Sequence, residues 1–193
     1  FSTWREPRNS ASPVCPETSN SSLPWAICAG IIFPWASFGG VARMINLTIG
    51  TQPDDESCGP TSLHAIYEYY NMDISLETLV REVQRSLSGG TLAAMLGIHA
   101  LSHGFDVIIY VNNLNEFDPT WFTKGKANPA VLYKKLEEQM QHKLAPDMQQ
   151  MSTTYLHYLS LGGQVYFKSL DVQVLKFYFD RDIPLITGLN ATY

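Results

Sequence analysis

The sequence predicts an α+β fold with a helical N-terminal half and a small antiparallel sheet, and three observations carry that expectation. Apolar residues recur at helical spacing in several stretches, such as Leu63, Ile66, Tyr67 and Tyr70. Short runs rich in β-branched and aromatic residues, of which residues 106–111 (Asp-Val-Ile-Ile-Tyr-Val) are the clearest, stand apart from them. The two kinds do not alternate regularly: helices dominate early and strands return late, unlike a doubly wound α/β sheet.

At 193 residues, with 45% hydrophobic and 12% aromatic content, the chain can build one cored domain with an appended segment. The expected division is an extension over 1–45 and a domain over 46–193. A net charge of −5 without any long Lys/Arg run argues against nucleic acid as a partner. Small basic peptides stay open. Compartment and oligomeric state are not legible.

Residues 1–22 are polar and carry Pro7, Pro13 and Pro16, as a loop or disordered arm does. Residues 23–42 hold no charge and approach the roughly 20 residues a membrane span needs. Pro24, Gly30, Pro34, Gly39 and Gly40 would interrupt a helix there. Two readings therefore stand side by side: a membrane or export segment, and an irregular buried or poorly ordered extension. Asn20, Asn46 and Asn190 open Asn-x-Ser/Thr triplets, which are too short to report on secretion. The chain starts at Phe1 and stops at Tyr193 just after a strand-like run, as a piece of a longer reading frame would.

Within the domain, residues 46–50 form a short expected strand before the loop 51–57. A first helix runs from about Cys58 to Tyr70, with Pro60 in the first turn, where a missing N–H costs nothing. Ser75 is the expected N-cap of a second helix marked by Leu76, Leu79, Val80, Val83 and Leu87, which Gly89 and Gly90 end. Thr91 is expected to cap a third helix carrying Leu92, Met95, Leu96 and His99, stopped by Gly104. After the strand at 106–111 comes an aromatic loop, 117–122, suited either to lining a substrate groove or to capping the core. Asn128 and Pro129 open a charged helix to about Leu144, and another helix follows over about 147–161. A strand at 164–167, a helix at 171–179 and a strand at 183–189 complete the pattern.

Three cysteines, Cys15, Cys28 and Cys58, are too few and too far apart for a disulfide framework or a zinc site. A Cys15–Cys28 pair would leave Cys58 free. Cys58 opens a helix, where unpaired backbone N–H groups and the positive end of the dipole favour thiolate over thiol. Gln52, six residues earlier, can fold its amide back over the sulfur. With the Cys58 N–H it would form an oxyanion hole, and Gly59 would leave room for a substrate carbonyl. The competing reading is a small buried hydrophobic cysteine.

Gln52, then residues 58–63 (Cys-Gly-Pro-Thr-Ser-Leu), Ala65 and Tyr67, resembles the active-site segment of the double-glycine leader peptidases, the C39 and C39-like group of papain-like cysteine peptidases. Gly89-Gly90-Thr91-Leu92, Gly104-Phe105 and residues 183–189 fit the same pattern. The resemblance spans about 47–193. It implies a papain-like fold, a peptide or protein substrate, no cofactor and no metal, with Cys58 as nucleophile and Gln52 in the oxyanion hole. Ser57 departs from the pattern, which commonly has an acidic residue beside the cysteine; Asp54 and Asp55 are near but have no evident role. A thiol peptidase also needs an imidazole base. In the family that histidine sits on a strand following the one matched by 183–189, beyond Tyr193. His64, His99, His103, His142 and His157 are not assigned to the role: His99 and His103 suit helix packing or surface, His142 solvent, and His157 a packed position. The chain as given is thus expected to be nearly inactive. A non-catalytic peptide-binding module and an acyl transferase using the same cysteine are the alternatives.

Overall fold

The computed structural model describes the backbone of residues 26–32 and residues 45–87, 89–169 and 171–189. Its axis is strand β2 (Asp106–Val111), buried from Val107 onward. Strands covered on one face alternate apolar and polar residues; a continuous apolar run needs cover on both. Both covers are present. Val107, Ile109 and Val111 face the main core with Val165, while Ile108 and Tyr110 join Tyr166, Val174 and Tyr178 in a second cluster.

The main core is built by helices α1 (Cys58–Tyr69), α2 (Leu76–Glu82), α3 (Ala93–Ser102), α4 (Pro129–Met140) and α5 (Pro146–Ser160). Helix α6 (Val172–Phe179) covers the opposite face through Val174 and Tyr178, its N-terminus capped by the Asp171 carboxylate accepting from the Val174 N–H at 2.8 Å. Tyr110 and Tyr178 join their hydroxyls at 2.7 Å inside that cluster, satisfying two polar atoms that burial would otherwise leave unpaired.

Strand order is β3-β4-β5-β2-β1-β6, with β1 (Ala26–Ile32), β3 (Phe122–Thr123), β4 (Lys126–Ala127), β5 (Gln164–Phe167) and β6 (Leu185–Leu189). β1 runs antiparallel to both neighbours, setting Cys28 opposite Tyr110 and Thr187. The expectation of an antiparallel sheet needs correction, because β2 and β5 pair in parallel, Ile109 opposite Val165. The physical reason is their connection. It carries α4 and α5, long enough to return the chain to the starting end of the sheet, whereas a short turn enforces antiparallel pairing.

Of the uncharged stretch 23–42, Ala26–Ile32 is therefore a strand. The rest of that stretch and the polar arm 1–22, with Cys15 and its pairing to Cys28, lie outside the described residues. No helix among the described residues is long and apolar enough to cross a membrane.

Other local expectations fail for identifiable reasons. Residues 46–50 lie in coil, without strand partners. Helix α2 begins as expected, Ser75 Oγ accepting from the Thr78 N–H at 3.2 Å, but ends at Glu82. Val83 turns to extended backbone (φ −74, ψ 121) and stays buried, and Leu87 is 67% exposed instead of continuing an apolar stripe. Gly89 and Gly90, both at positive φ, serve a tight turn in which the Ser86 N–H donates to the Gly90 carbonyl. Thr91 does not cap α3; Leu92 holds that position without a side-chain bond. In the aromatic loop Phe117 is fully buried, edge-on to Tyr155 at 4.9 Å, and Asp118 caps a 3-10 turn at Pro119–Trp121, so this loop closes the core.

Candidate active site

Cys58 is the first residue of α1, is exposed and is a free thiol. Exposure excludes the reading as a small buried hydrophobic residue. The sequence starts the helix here because Pro60, buried in the first turn, has a preset φ and lacks only an N–H that no intrahelical carbonyl would use. The hydroxyls of this turn point backwards: Thr61 Oγ1 donates to the Ser57 carbonyl and Ser62 Oγ to the Cys58 carbonyl, each at 2.8 Å. No side chain caps the N-terminus and no acidic residue lies in the first turn. The partial positive charge of the helix end is thus left to whatever approaches Cys58.

Gln52 is also exposed, at the other end of the same loop. Neither its amide nor the Cys58 thiol bonds another described side chain. The loop between them is tied down. Asp54 accepts from the Ser57 hydroxyl at 2.6 Å and from the Glu56 N–H at 2.9 Å through the same oxygen. Its second oxygen meets Arg85 Nη2 at 2.9 Å, and Arg85 Nη1 meets Glu56 at 2.9 Å. The bond from Ser57, then those from Arg85 and Glu56, hold the Asp54 carboxyl down at about 2. Ser57, at the N-cap position, is fully buried and spends its hydroxyl on Asp54 rather than on the helix.

Gly59 has a packing role that the sequence did not suggest. A Cβ there would stand 3.0 Å from Thr91 Cβ and 3.4 Å from Leu96 Cδ1. The missing side chain lets the start of α3 pack against the start of α1; the space is filled by protein. Thr91 Oγ1 is buried in that contact without a hydrogen-bond partner among the described residues.

Three of the five histidines are engaged elsewhere and two are exposed. His64 sits one turn from Glu68 on α1, Nδ1 to Oε2 3.6 Å. His99 is buried, bonded through Nδ1 to the Tyr67 hydroxyl at 2.8 Å and through Nε2 to Glu82 at 3.3 Å. Desolvation holds its basicity below the usual imidazole range, against the opposing pull of Glu82. His103 stacks on His99 with ring centres 4.3 Å apart. His142 is exposed, and so is His157, where a packed histidine was expected. The buried positions of α5 include Tyr155, Tyr158 and Leu159, and His157 is two residues from Tyr155, about 200° round the helix. Among the described residues no group of three or more His, Cys, Asp or Glu side chains is arranged to hold a metal ion.

Arg85 was missed in the sequence. Its signal was isolation: it and Arg81 are the only Lys or Arg residues between Cys58 and Lys124, and Asp54 and Glu56 lay unpaired upstream.

No curated protein and no solved structure gives a match to the chain. The family model described as Peptidase C39 family matches residues 46–162, more than half of the sequence, and takes in the Gln52–Cys58 loop, the clamp around Asp54 and the parallel β2 strand. By that match the chain belongs to the peptidase C39 family.

Proposed function

We propose that this protein carries the nucleophile half of a papain-like thiol hydrolase acting on peptide bonds. The observation that carries the reading is an exposed free cysteine at an uncapped helix N-terminus, within a chain of a cysteine peptidase family. In the proposed reaction the Cys58 sulfur attacks the carbonyl carbon of a peptide. The side-chain amide of Gln52 and the Cys58 N–H donate to the oxyanion, the amine leaves with a proton, and a thioester remains for water to hydrolyse. That proton must come through a general base. None of the chain's five histidines has that part in the proposal, so the sequence as it stands is expected to react at Cys58 without turning over peptide.

Alkylation by iodoacetamide at about pH 6, read at Cys58 by peptide mass spectrometry because Cys15 and Cys28 also react, tests the nucleophile. The expected result is a rate well above that of a free thiol. A rate equal to a free thiol's would sink the reading.

The partners of His64, His99 and His103 favour one second reading, a peptide-binding module on the same scaffold. It predicts reversible binding of unmodified peptides with Cys58 no faster than a free thiol.

A further inference from the structure

The loop that bears Gln52 and ends at Cys58 is short of anchors of its own. Residues 51–56 are all exposed, and among the described residues the only backbone bond closing the turn, from the Ser57 N–H to the Asp54 carbonyl, is long at 3.4 Å. Apart from the bonds that the Asp54 side chain accepts from Ser57 and Glu56, what holds it comes from two distant segments. Arg85, in the chain between α2 and α3, sends one guanidinium nitrogen to Asp54 and the other to Glu56, both at 2.9 Å, and Nη2 also lies 3.4 Å from Ser57 Oγ. Arg85 is in turn held by α5. The Gln150 amide donates to the Arg85 carbonyl at 3.2 Å, and its oxygen accepts from the Leu87 N–H at 2.8 Å. The turn that follows is shaped to the same purpose: a Cβ on Gly89, at φ +88, would stand 3.0 Å from Glu56 Oε1.

We propose that Arg85 is a positioning residue for the candidate active site, backed by Gln150, and that this clamp sets where Gln52 and Cys58 stand relative to each other. The proposal rests on the reading of Cys58 as the nucleophile. A single exposed ion pair contributes little, but here one planar fork joins two carboxylates and a buried hydroxyl in a network. The geometry has two consequences. Without Arg85 the 52–57 segment loses its tie to α5 and samples open states. The Asp54 and Glu56 carboxylates, four and two residues from Cys58, then also lose their compensating cation and oppose formation of a neighbouring thiolate.

The test compares the whole chain with Arg85→Met, Arg85→Lys and Gln150→Leu in two measurements. Amide hydrogen exchange over residues 52–58 reads the clamp directly, and the rate of Cys58 alkylation by iodoacetamide across pH reads its effect on the thiol. Arg85→Met is expected to speed exchange in this segment by roughly tenfold. It should also move the alkylation profile to higher pH, while exchange in β2 and α5 stays as in the parent. Arg85→Lys should recover only part of both effects, since an ammonium lacks the two-pronged fork. Gln150→Leu should loosen the segment in the same direction. Parent-like exchange and an unmoved profile in both Arg85→Met and Gln150→Leu would overturn the proposal. If Arg85→Met does not fold, the Arg85→Lys and Gln150→Leu results decide by the same criteria. Free-thiol reactivity of Cys58 in the parent would refute the nucleophile reading alone, because the exchange measurement still decides whether the clamp exists.

Discussion

The hydroxyl of Tyr67 stands 2.8 Å from Nδ1 of His99, fully buried, and joins α1, which begins at Cys58, to the middle of α3. Phe105 stacks on the same tyrosine ring at 5.1 Å, and His103 stacks on the histidine. Burial drives the Tyr67 phenol well above its ordinary value, so it stays protonated and donates to a neutral imidazole. The Glu82 carboxylate can only accept, so the neutral ring carries its proton on Nε2 toward Glu82 and takes the Tyr67 hydrogen bond at Nδ1.

From this pair follows a pH dependence. Burial lowers the His99 folded-state value beneath its unfolded one of 6.5, and the His103 charge adds to that when present, while Glu82 opposes it. A group depressed in this way contributes stability that is present above the unfolded value and fades as pH falls below it. The melting temperature is expected to drop between about pH 7 and about pH 5, with a shallower drop in His99→Gln. NMR titration of the His99 ring should give a midpoint below 6.5. A midpoint above it would overturn the account.

Tyr158 is the hydrogen-bonding hub of the core. Its hydroxyl lies 2.8 Å from the Val107 carbonyl and 3.0 Å from that of Gln164, and accepts from the Gln164 N–H at 3.1 Å. It thereby bridges the starts of β2 and β5, the parallel pair. Tyr158→Phe removes all three bonds, of which the one to the Val107 carbonyl is buried, and should cost about 1–3 kcal/mol in urea unfolding.

Gly97 is where α3 meets that tyrosine. A Cβ there would come within 2.7 Å of Tyr158 Cε2 and 3.4 Å of Val107 Cγ1. Gly97→Ala therefore overpacks the core and should destabilise by about 1–3 kcal/mol, despite the higher helix propensity of alanine. Gly50, with nothing within 4 Å of an added Cβ, is the control. Gly50→Ala should stay within about 0.5 kcal/mol of the parent by calorimetry.

Gln52 and Cys58 are expected to separate by the probe used. A peptide aldehyde adds to the thiol to give a hemithioacetal whose oxygen needs the oxyanion donors, whereas alkylation by iodoacetamide displaces iodide without them. Gln52→Ala should weaken aldehyde binding by about 100-fold and leave the alkylation rate within about twofold of the parent. Equal loss with both probes would mean that Gln52 supports the loop rather than the oxyanion.

Much of the backbone was legible because its signals are local. The bounds of β2 and β5, the cap at Ser75, the helix start at Asn128 and Pro129, and the stop at Gly104, which takes positive φ, each follow from a few neighbouring residues. Helix α2 was read too long because Val83 and Leu87 fit a helical stripe. Burial of Val83 does not require a helix, and polar Gln84, Arg85 and Ser86 are drawn elsewhere. His157 was misplaced because its apolar neighbours in sequence lie on the opposite face of α5.

By itself the sequence determined that Cys58 opens a helix, that Gln52 precedes it on one loop, and which family the chain resembles, since propensity, capping and motif spacing act over a few residues. Only the tertiary structure decided what surrounds them. That β5 lies parallel to β2 depends on the path of two helices between them. That Gly59 makes room for Thr91 and Leu96 depends on how α3 is pressed against α1. That Asp54 and Glu56 are held by Arg85, with Gln150 behind it, depends on contacts between residues 28 to 65 positions apart. Charge pairing and close packing act through space, and their partners are chosen when the whole chain folds.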